Sequence, residues 1–268
     1  MTEKIAVINQ KGGVGKTTTA YNLASTLARY NKKVLLLDLD PQGNCSMALG
    51  IDSSTLKRTM SELFLNEVEL KKAIRKTNVV NVSIVPSNLN LAMVETKLFQ
   101  RDMKAPTDRL KEILSERYVS LFDYVIMDCP PSLGYLSLNA LNVANSLIIP
   151  VQCEYFAIDA LAQLLATITQ IQRTSNPNLE IMGFLITMYD QRIKMNVDML
   201  SNIRQDFKDK VFTCVIPRNV SIPMATLNAL PVNYYKPSSM GSLSYLALAR
   251  EVMEYVEKKH KNWYFFPC

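Results

Sequence analysis

The sequence contains little of the chemistry on which metal-binding and disulfide-stabilised proteins depend. It has one histidine, one tryptophan and only eight glycines among 268 residues. Its cysteines are widely spaced, and none belongs to a C-x-x-C pair: Cys45, Cys129, Cys153, Cys214 and Cys268. An odd, scattered set of thiols indicates neither a zinc site nor a disulfide framework, so we expect a protein of the reducing cytoplasm.

Long apolar runs are absent as well. No stretch of about eighteen consecutive apolar residues occurs, which predicts that no helix spans a membrane. The chain enters the apolar segment IAVIN at residue 5 directly, and we expect no signal peptide. With 48% apolar and 20% charged residues, the composition is that of a globular protein. The net charge of +6 permits binding to a polyanion without requiring it.

Short apolar runs alternate with helical patterns along the chain. The runs are continuous, as in strands that are covered on both faces: 5–8, 34–38, 82–86, 124–128, 146–151, 181–188 and 211–216. Apolar residues at helical spacing predict helices between them: 17–30, 106–117, 158–172 and 241–258. This alternation predicts a doubly wound α/β fold with a mostly parallel sheet flanked by helices. We expect residues 1–268 to form one domain, with a helical insertion at 52–76.

The segment after the first apolar run, NQKGGVGKTTTAYN (9–22), has the features of a phosphate-binding loop. It holds three of the eight glycines: Gly12, Gly13 and Gly15. These glycines let the backbone turn tightly and direct successive N–H groups into one concavity that suits an anion. Lys16 can reach the outer phosphates of a nucleotide, and the Thr17 hydroxyl can ligate Mg²⁺.

The loop departs from the general G-x-x-x-x-G-K-[ST] pattern, since Gln10 replaces its first glycine and an extra lysine, Lys11, follows. This K-G-G-x-G-K-T-[TS] form is the deviant Walker A loop, through which the chain resembles the ParA/MinD superfamily of P-loop NTPases. Further blocks extend the resemblance over nearly the full chain: LLLDLDPQGN (35–44), YVIMDCPPSLG (124–134), IIPVQCEYFA (148–157) and VIPRNV (215–220). The chain is most similar to the small chromosomal ParA (Soj) type, which has no N-terminal helix-turn-helix domain, and we expect none here.

The resemblance implies that the cofactors are ATP and Mg²⁺ and that the protein is a slow ATPase that forms a homodimer on binding ATP. The nucleotide would contact the whole loop: Lys11, Gly12, Gly13, Val14, Gly15, Lys16, Thr17 and Thr18. Lys16 would hold the phosphates of its own nucleotide. Lys11 would cross the dimer interface to the partner's phosphates, in the manner of an arginine finger.

Aspartates end two of the apolar runs, with Asp38 and Asp40 after the second run and Asp128 after YVIMD. A carboxylate beside a buried strand is costly unless a charged partner satisfies it, and Mg²⁺ is such a partner. We therefore expect Thr17, Asp38, Asp40 and Asp128 around the metal. The resemblance implies that Asp40 positions or activates the attacking water, that Asp38 supports the metal shell and that Asp128 is the Walker B residue.

The resemblance also implies a site for the base and a surface for DNA. Pro217, Arg218 and Asn219 would line the adenine, with Asn219 recognising the base. ParA-type dimers bind DNA non-specifically through basic residues, and here the candidates are Arg192, Lys194 and Arg218. The block after Asn219 departs from the family pattern, since Ser221 replaces an arginine. DNA affinity is then either weaker here or carried by other basic residues: Arg204, Lys208, Lys210, Lys236 and Arg250.

The resemblance implies a nucleoid-associated partition ATPase that segregates a chromosome or plasmid, and whose hydrolysis a ParB-like, centromere-binding protein stimulates. The alternative is a MinD-like ATPase on a membrane surface, suggested by the basic and aromatic tail EYVEKKHKNWYFFPC (254–268). Pro267 and the short remaining length argue against a membrane helix there. Two metabolic relatives fit less well. An amidotransferase-type ligase needs a substrate domain that 268 residues barely accommodate, and an iron–sulfur reductase needs companion cysteines that Cys129 lacks.

Overall fold

The computed structural model describes residues 2–100, 106–154 and 157–263. Its strands are β1 Glu3–Val7, β2 Val34–Asp38, β3 Arg75–Lys76, β4 Val82–Val85, β5 Tyr124–Asp128, β6 Ser146–Gln152, β7 Glu180–Tyr189 and β8 Val211–Pro217. They form one sheet in the order β3-β4-β2-β5-β1-β6-β7-β8. Every pairing is parallel except that of β3 with β4.

Helices connect the parallel strands. Their bounds are α1 Lys16–Arg29, α2 Asn44–Ala48, α3 Met60–Phe64, α4 Leu70–Ala73, α5 Val94–Gln100, α6 Arg109–Ile113, α7 Tyr135–Val143, α8 Ala157–Thr174, α9 Lys194–Phe207, α10 Ser221–Leu227, α11 Val232–Tyr235 and α12 Met240–Trp263. Short 3₁₀ turns lie at Leu89–Met93, Pro106–Asp108, Arg117–Leu121 and Lys208–Lys210. Within the described ranges, no helix combines the length and the apolarity needed to cross a bilayer.

The sheet has an apolar core on each face. Alternate residues of β1 point to opposite faces, so Ile5 and Val7 join one core while Ala6 joins the other. The core that contains Ile5 is closed by α1, α2, α10, α11 and α12. The core that contains Ala6 is closed by α3 to α9. The prediction of a doubly wound, mostly parallel sheet is therefore confirmed.

The strand predictions are confirmed, with boundaries that differ by at most two residues. The short β3 was not predicted, because a two-residue edge strand has no apolar periodicity. It ends the segment 52–76, which is less helical than expected and holds only α3 and α4 as helices. A capping box at Thr59 and Glu62 starts α3, and Leu65 already ends it.

The helix predictions are confirmed for α1, α8 and α12 and wrong for 106–117. In place of one helix, the segment forms a 3₁₀ turn, the five-residue α6 and a break at Glu116, whose ψ of 137° is extended. Six further helices were not predicted: α2, α5, α7, α9, α10 and α11. In α9 only Asn196, Leu200 and Ile203 are buried, so its apolar stripe is too thin to be visible in the sequence.

Candidate functional site

The loop between β1 and α1 has the backbone of an anion-binding nest. Gly13 and Gly15 have positive φ angles of 75° and 86°, which side chains with a Cβ rarely adopt. Gly15 precedes the first turn of α1, and no side chain caps that turn. The free N–H groups and the positive end of the helix dipole therefore face the same concavity, where an anion would satisfy them.

The two lysines of the loop have different environments. Lys16 is buried, and its Nζ donates a hydrogen bond of 3.0 Å to the carbonyl oxygen of Lys11. Burial lowers the pKa of Lys16, and the nearby Asp128 opposes that shift. The side chain of Lys11 is about one-third exposed and forms an ion pair with Glu154. Lys16 thus lies inside the nest, whereas Lys11 lies at its rim.

Asp38 and Asp128 are direct neighbours at the carboxyl edge of the sheet, because they are register partners of β2 and β5. Both side chains are fully buried. Asp38 accepts hydrogen bonds from the backbone N and the Oγ of Ser46, at 2.9 and 2.7 Å. Neither carboxylate oxygen of Asp128 has a hydrogen-bond partner among the described residues. An orphaned buried carboxyl of this kind needs either a proton or a cation.

The pKa values of this pair express the same requirement. Burial raises the pKa of Asp38 to about 6, although the bonds from Ser46 oppose the shift. Burial, and then the proximity of Asp38, raise the pKa of Asp128 well above its ordinary value, while Thr17 and Lys16 oppose that shift. A cation at this position would restore both groups to carboxylates.

Asp40 lies in the turn that follows β2. Its Oδ1 accepts a hydrogen bond of 3.0 Å from the backbone N of Gln42, and its own backbone N donates to Asp38 at 3.3 Å. The turn passes close to the chain after β4, because a Cβ at Gly43 would lie 2.8 Å from the carbonyl oxygen of Ser87. Gly43 therefore lets the Asp40 turn fold against the sheet edge.

A cavity of about 570 Å³ adjoins the loop on its α1 side. Its lining includes Gly15 and Thr18 of the loop and all of Pro217, Arg218 and Asn219. The structure thus brings the sequence-predicted base segment next to the phosphate loop. Sequence reasoning missed other lining residues: Thr187, Met188, Val220, Ile222, Pro223, Thr226, Leu227 and Tyr245. Thr187 carried a signal, as a polar residue at the carboxyl end of an apolar strand.

Asn219 also has a structural contact. Its Oδ1 accepts a hydrogen bond of 2.9 Å from the backbone N of Ser221, at the start of α10. Arg218 is anchored through its backbone N, which donates to the carbonyl oxygen of Tyr189 at 2.9 Å. That bond places the exposed Arg218 side chain at the carboxyl ends of both β7 and β8.

The candidate DNA-binding residues lie at the same edge of the sheet. Arg192 is 84% exposed, and its guanidinium makes two bonds to the carboxylate of Asp190, at 2.6 and 2.9 Å. These bonds hold the pKa of Asp190 at about 2. Lys194 is exposed at the start of α9. The aromatic tail residues Tyr264, Phe265 and Phe266, on which the membrane alternative rests, lie outside the described residues.

No three or more His, Cys, Asp or Glu side chains of the described ranges come together in a way that could hold a metal ion by themselves. A magnesium ion at Thr17 and Asp128 would therefore need oxygen ligands from phosphate groups and water. The predicted metal ligands also differ in availability. The carboxylate of Asp38 accepts two hydrogen bonds from Ser46, whereas no described residue donates to Asp128 with full hydrogen-bond geometry, although the Thr17 hydroxyl and Lys16 lie close enough to oppose its pKa shift.

Comparison with known proteins identifies the family of the chain. A family model described as an AAA domain matches residues 2–181. The sporulation initiation inhibitor protein Soj of Bacillus subtilis is 42% identical over 92% of this chain and 97% of its own. The chain belongs to the ParA and MinD family of P-loop ATPases. The chromosome partitioning protein ParA of Caulobacter vibrioides is also 42% identical, over 93% of each chain.

A solved structure from Mycobacterium smegmatis, titled cobyrinic acid a,c-diamide synthase with bound ADP and magnesium, has a similar fold. It superposes with a TM-score of 0.84 at 35% identity, and the match covers 96% of each chain. The chain with that title has almost the same extent as this one.

Proposed function

We propose that the protein is an ATP-hydrolysing partition switch. The observation that carries this proposal is the common cavity, in which the phosphate loop and the segment Pro217–Arg218–Asn219 meet although they are about 200 positions apart in sequence. The apolar walls suit a purine base, and the free N–H groups of the loop suit its phosphates. The name of the chromosome partitioning protein ParA, which matches 93% of this chain, supports chromosome partition as the process.

The residues present fit ATP together with Mg²⁺. Asp128 has two buried oxygens without a partner, and Thr17 lies near it at the start of α1. Thr17 and Asp128 would hold the ion, with Asp38 supporting them from the adjacent strand. The bound ion would neutralise charge on the phosphates. The similar structure from M. smegmatis, whose title names ADP and magnesium, supports the same pair of cofactors.

The chain's own groups then divide the work of hydrolysis. Lys16 binds the phosphates in cis, and the nest of loop N–H groups orients them. Asp40, on its turn beside the site, holds the attacking water. Lys11 completes the site of a second subunit, so that hydrolysis requires the dimer. Positioning and charge neutralisation are sufficient for phosphoryl transfer, and a slow ATPase needs no further catalytic group.

The switch acts on DNA. In the ATP-bound dimer, Arg192, Lys194 and Arg218 of both subunits form one basic surface at the carboxyl edge of β7 and β8. DNA binding there is electrostatic and non-specific. A ParB-like protein on the chromosome or plasmid stimulates hydrolysis, which separates the dimer and releases the DNA. The chain would thereby move its cargo along the nucleoid.

Co-sedimentation with long DNA tests the switch. Wild-type protein is expected to sediment with DNA in ATP and to stay in solution in ADP. The Asp40→Ala variant, which binds ATP without hydrolysing it, should remain on DNA. Arg192→Ala in ATP is the matched control, because it retains the nucleotide site and weakens only the DNA surface. Equal binding of wild-type protein in ATP, in ADP and without nucleotide would overturn the switch.

A ligase is the second candidate, and the similar structure titled cobyrinic acid a,c-diamide synthase favours it. The two functions differ in what they require for ATP turnover. A partition ATPase hydrolyses ATP with water alone and responds to DNA, whereas an amide-forming ligase turns over ATP only with a carboxylic acid and an amine donor. Mass spectrometry of cobyrinic acid after incubation with ATP and glutamine or ammonia separates them, since amidation changes the mass of the acid.

A further inference from the structure

The outer side of the phosphate loop is held by two side chains that the sequence analysis did not single out. Gln152, at the end of β6, donates a hydrogen bond of 3.1 Å from Nε2 to the carbonyl oxygen of Gly13. Thr187, near the end of β7, donates a bond of 2.8 Å from Oγ1 to the carbonyl oxygen of Val14. Both donors come from strands that follow the loop by more than 130 residues.

Peptide geometry determines what these two bonds do. In a planar trans peptide, the carbonyl group and the next N–H group point in opposite directions. Holding the carbonyl of Gly13 toward Gln152 therefore turns the N–H of Val14 the other way, into the loop. Holding the carbonyl of Val14 toward Thr187 does the same for the N–H of Gly15. Two consecutive donors of the nest are thus oriented by side chains outside the loop.

The glycines make the backbone of the loop flexible, and the hydrogen bonds from Gln152 and Thr187 restrict that flexibility. Gly13 and Gly15, which flank Val14, have positive φ angles, so the loop can reach its bent form but is not confined to it by local chemistry. Thr187 is only 3% exposed, and its hydroxyl also lies 3.3 Å from the carbonyl oxygen of Val151. The one hydrogen of this hydroxyl has two carbonyl acceptors within reach, and the shorter distance favours Val14.

Strand β6, which carries Gln152, also contacts the rest of the loop. The carbonyl oxygen of Pro150, two residues before Gln152 on β6, accepts a bond of 2.7 Å from Nδ2 of Asn9. The Oδ1 of Asn9 in turn accepts the backbone N–H of Lys11 at 3.0 Å. The chain after Gln152 supplies Glu154, the ion-pair partner of Lys11. The end of β6 and the residues that follow it therefore run along the loop and contact it through Pro150, Gln152 and Glu154.

We propose that Gln152 and Thr187 are positioning residues of the phosphate site, which fix the N–H groups of Val14 and Gly15 before nucleotide binds. This inference rests on the proposed nucleotide binding for its effect on affinity, although the orientation itself is a property of the free protein. Preorganised donors lose less entropy on binding phosphate than mobile donors do. Removing either hydrogen bond should therefore lower the affinity for every nucleotide whose phosphates contact the loop.

Two variants remove the donors with little change in shape. Thr187→Val retains the branched side chain and loses the hydroxyl, leaving the carbonyl of Val14 without its donor, whereas Thr187→Ser retains the hydroxyl and is the matched control. Gln152→Glu replaces the amide donor by a carboxylate that cannot donate. Gln152 is only partly buried, so this second variant tests the proposal even if Thr187→Val fails to fold.

The readouts are amide hydrogen exchange over residues 9–17 of the nucleotide-free protein, and calorimetric affinities for ADP, ATP and adenosine. Thr187→Val and Gln152→Glu should exchange faster over 9–17 and bind ADP and ATP roughly ten-fold more weakly, while Thr187→Ser stays near wild type. Adenosine, which has no phosphate, should bind Gln152→Glu like wild type, because Gln152 does not line the cavity proposed for the base. Wild-type exchange and affinities in Thr187→Val and Gln152→Glu would overturn the proposal.

Failure of the proposed function gives a different result. If wild-type protein binds neither ADP nor ATP, nucleotide binding is refuted, and hydrogen exchange then decides the positioning role alone. Faster exchange over 9–17 in Thr187→Val, restored in Thr187→Ser, supports it. Equal exchange in these two variants rejects it.

Discussion

Lys11 and Glu154 form an ion pair within one chain, although 143 positions separate them in the sequence. We propose that the ammonium group of Lys11 contacts the phosphates bound to the partner subunit. The ion pair with Glu154 must therefore break before Lys11 can cross the interface. Glu154 is 53% exposed, and an ion pair with that much solvent access contributes roughly 0–1 kcal/mol. The contact therefore holds Lys11 at the rim of the loop without locking it there.

Glu154→Gln should accordingly have a small effect. Removing a contact of about 1 kcal/mol changes a rate by no more than about five-fold. Steady-state ATPase measurements at saturating ATP check this, with Glu154→Asp as the control that retains the charge. A loss of activity as severe as that of Lys11→Ala would mean that Glu154 itself takes part in hydrolysis.

Alanine substitutions of Lys16 and Lys11 should impair different steps, nucleotide binding and hydrolysis respectively. Lys16→Ala removes a buried ammonium from the nest, and the loss of charged hydrogen bonds should weaken ATP affinity by roughly 10- to 100-fold. Lys11→Ala should leave the affinity of the monomer within about two-fold of wild type while hydrolysis is lost, because Lys11 serves the other subunit. Calorimetry and ATPase assays on both variants provide the measurement. Equivalent binding defects would contradict the role of Lys11 in trans.

The stability of the nucleotide-free protein should fall as the pH rises. The pKa of Asp38 is raised from 3.8 to about 6 in the folded state. A raised folded pKa contributes stability that is complete below the unfolded value and is lost as the pH increases through the folded value. We expect this loss between pH 4 and 7, on the order of 3 kcal/mol for Asp38. Urea titrations at several pH values, in the absence of magnesium and nucleotide, measure it.

Asp128→Asn isolates the second carboxyl of the pair. Because Asp128 is buried without a hydrogen-bond partner among the described residues, a neutral amide should raise the Tm of the free protein at pH 8 by at least about 3 °C. The gain should grow as the pH rises, because burial raises the pKa of Asp128 and the wild-type group is least stable once it has lost its proton. Hydrolysis should be lost in the same variant. A Tm that is lower than wild type at pH 8 would show that the carboxylate is already satisfied.

Asn219→Asp separates base recognition from folding. Aspartate retains the oxygen that accepts the N–H of Ser221 at the start of α10, but it loses the amide donor that can face a base. ATP affinity should fall by roughly five- to ten-fold with no change in Tm. Inorganic tripolyphosphate, which has no base, should bind as to wild type. If the affinity for tripolyphosphate falls by the same factor as that for ATP, the substitution acts on the phosphate loop and the assignment of Asn219 to the base is wrong.

The ion pair between Asp190 and Arg192 should reduce DNA affinity, because it engages the guanidinium group that would contact phosphate. Asp190→Asn frees the guanidinium, and we expect tighter binding by roughly two- to five-fold at low salt with a steeper dependence on salt concentration. Lys194→Ala is the comparison, since each lost phosphate contact in a subunit reduces the logarithmic salt slope by about 0.9. Fluorescence anisotropy with a duplex of arbitrary sequence gives both quantities. Unchanged or weaker binding by Asp190→Asn would remove Arg192 from the DNA surface.

Much of the molecule follows from local sequence. The glycines and lysines of 11–16 predict a phosphate loop, because a tight turn and a free helix start are properties of contiguous residues. The strands of the sheet follow from continuous apolar runs, which only a doubly covered sheet can bury. The failures are local too. The segment 106–117 breaks at Glu116, and the thin apolar stripe of α9 was invisible.

The tertiary structure decided which polar groups are satisfied and which are left for a ligand. Asp38 and Asp128 look alike in sequence, yet Ser46 donates two hydrogen bonds to the first, whereas the second has only the nearby Thr17 and Lys16 to offset its burial. Gln152 and Thr187 reach the phosphate loop only because β6 and β7 follow β1 in the order of the sheet. Hydrogen-bond partners of this kind depend on strand order and register, which join residues more than a hundred positions apart and leave no periodicity in the sequence.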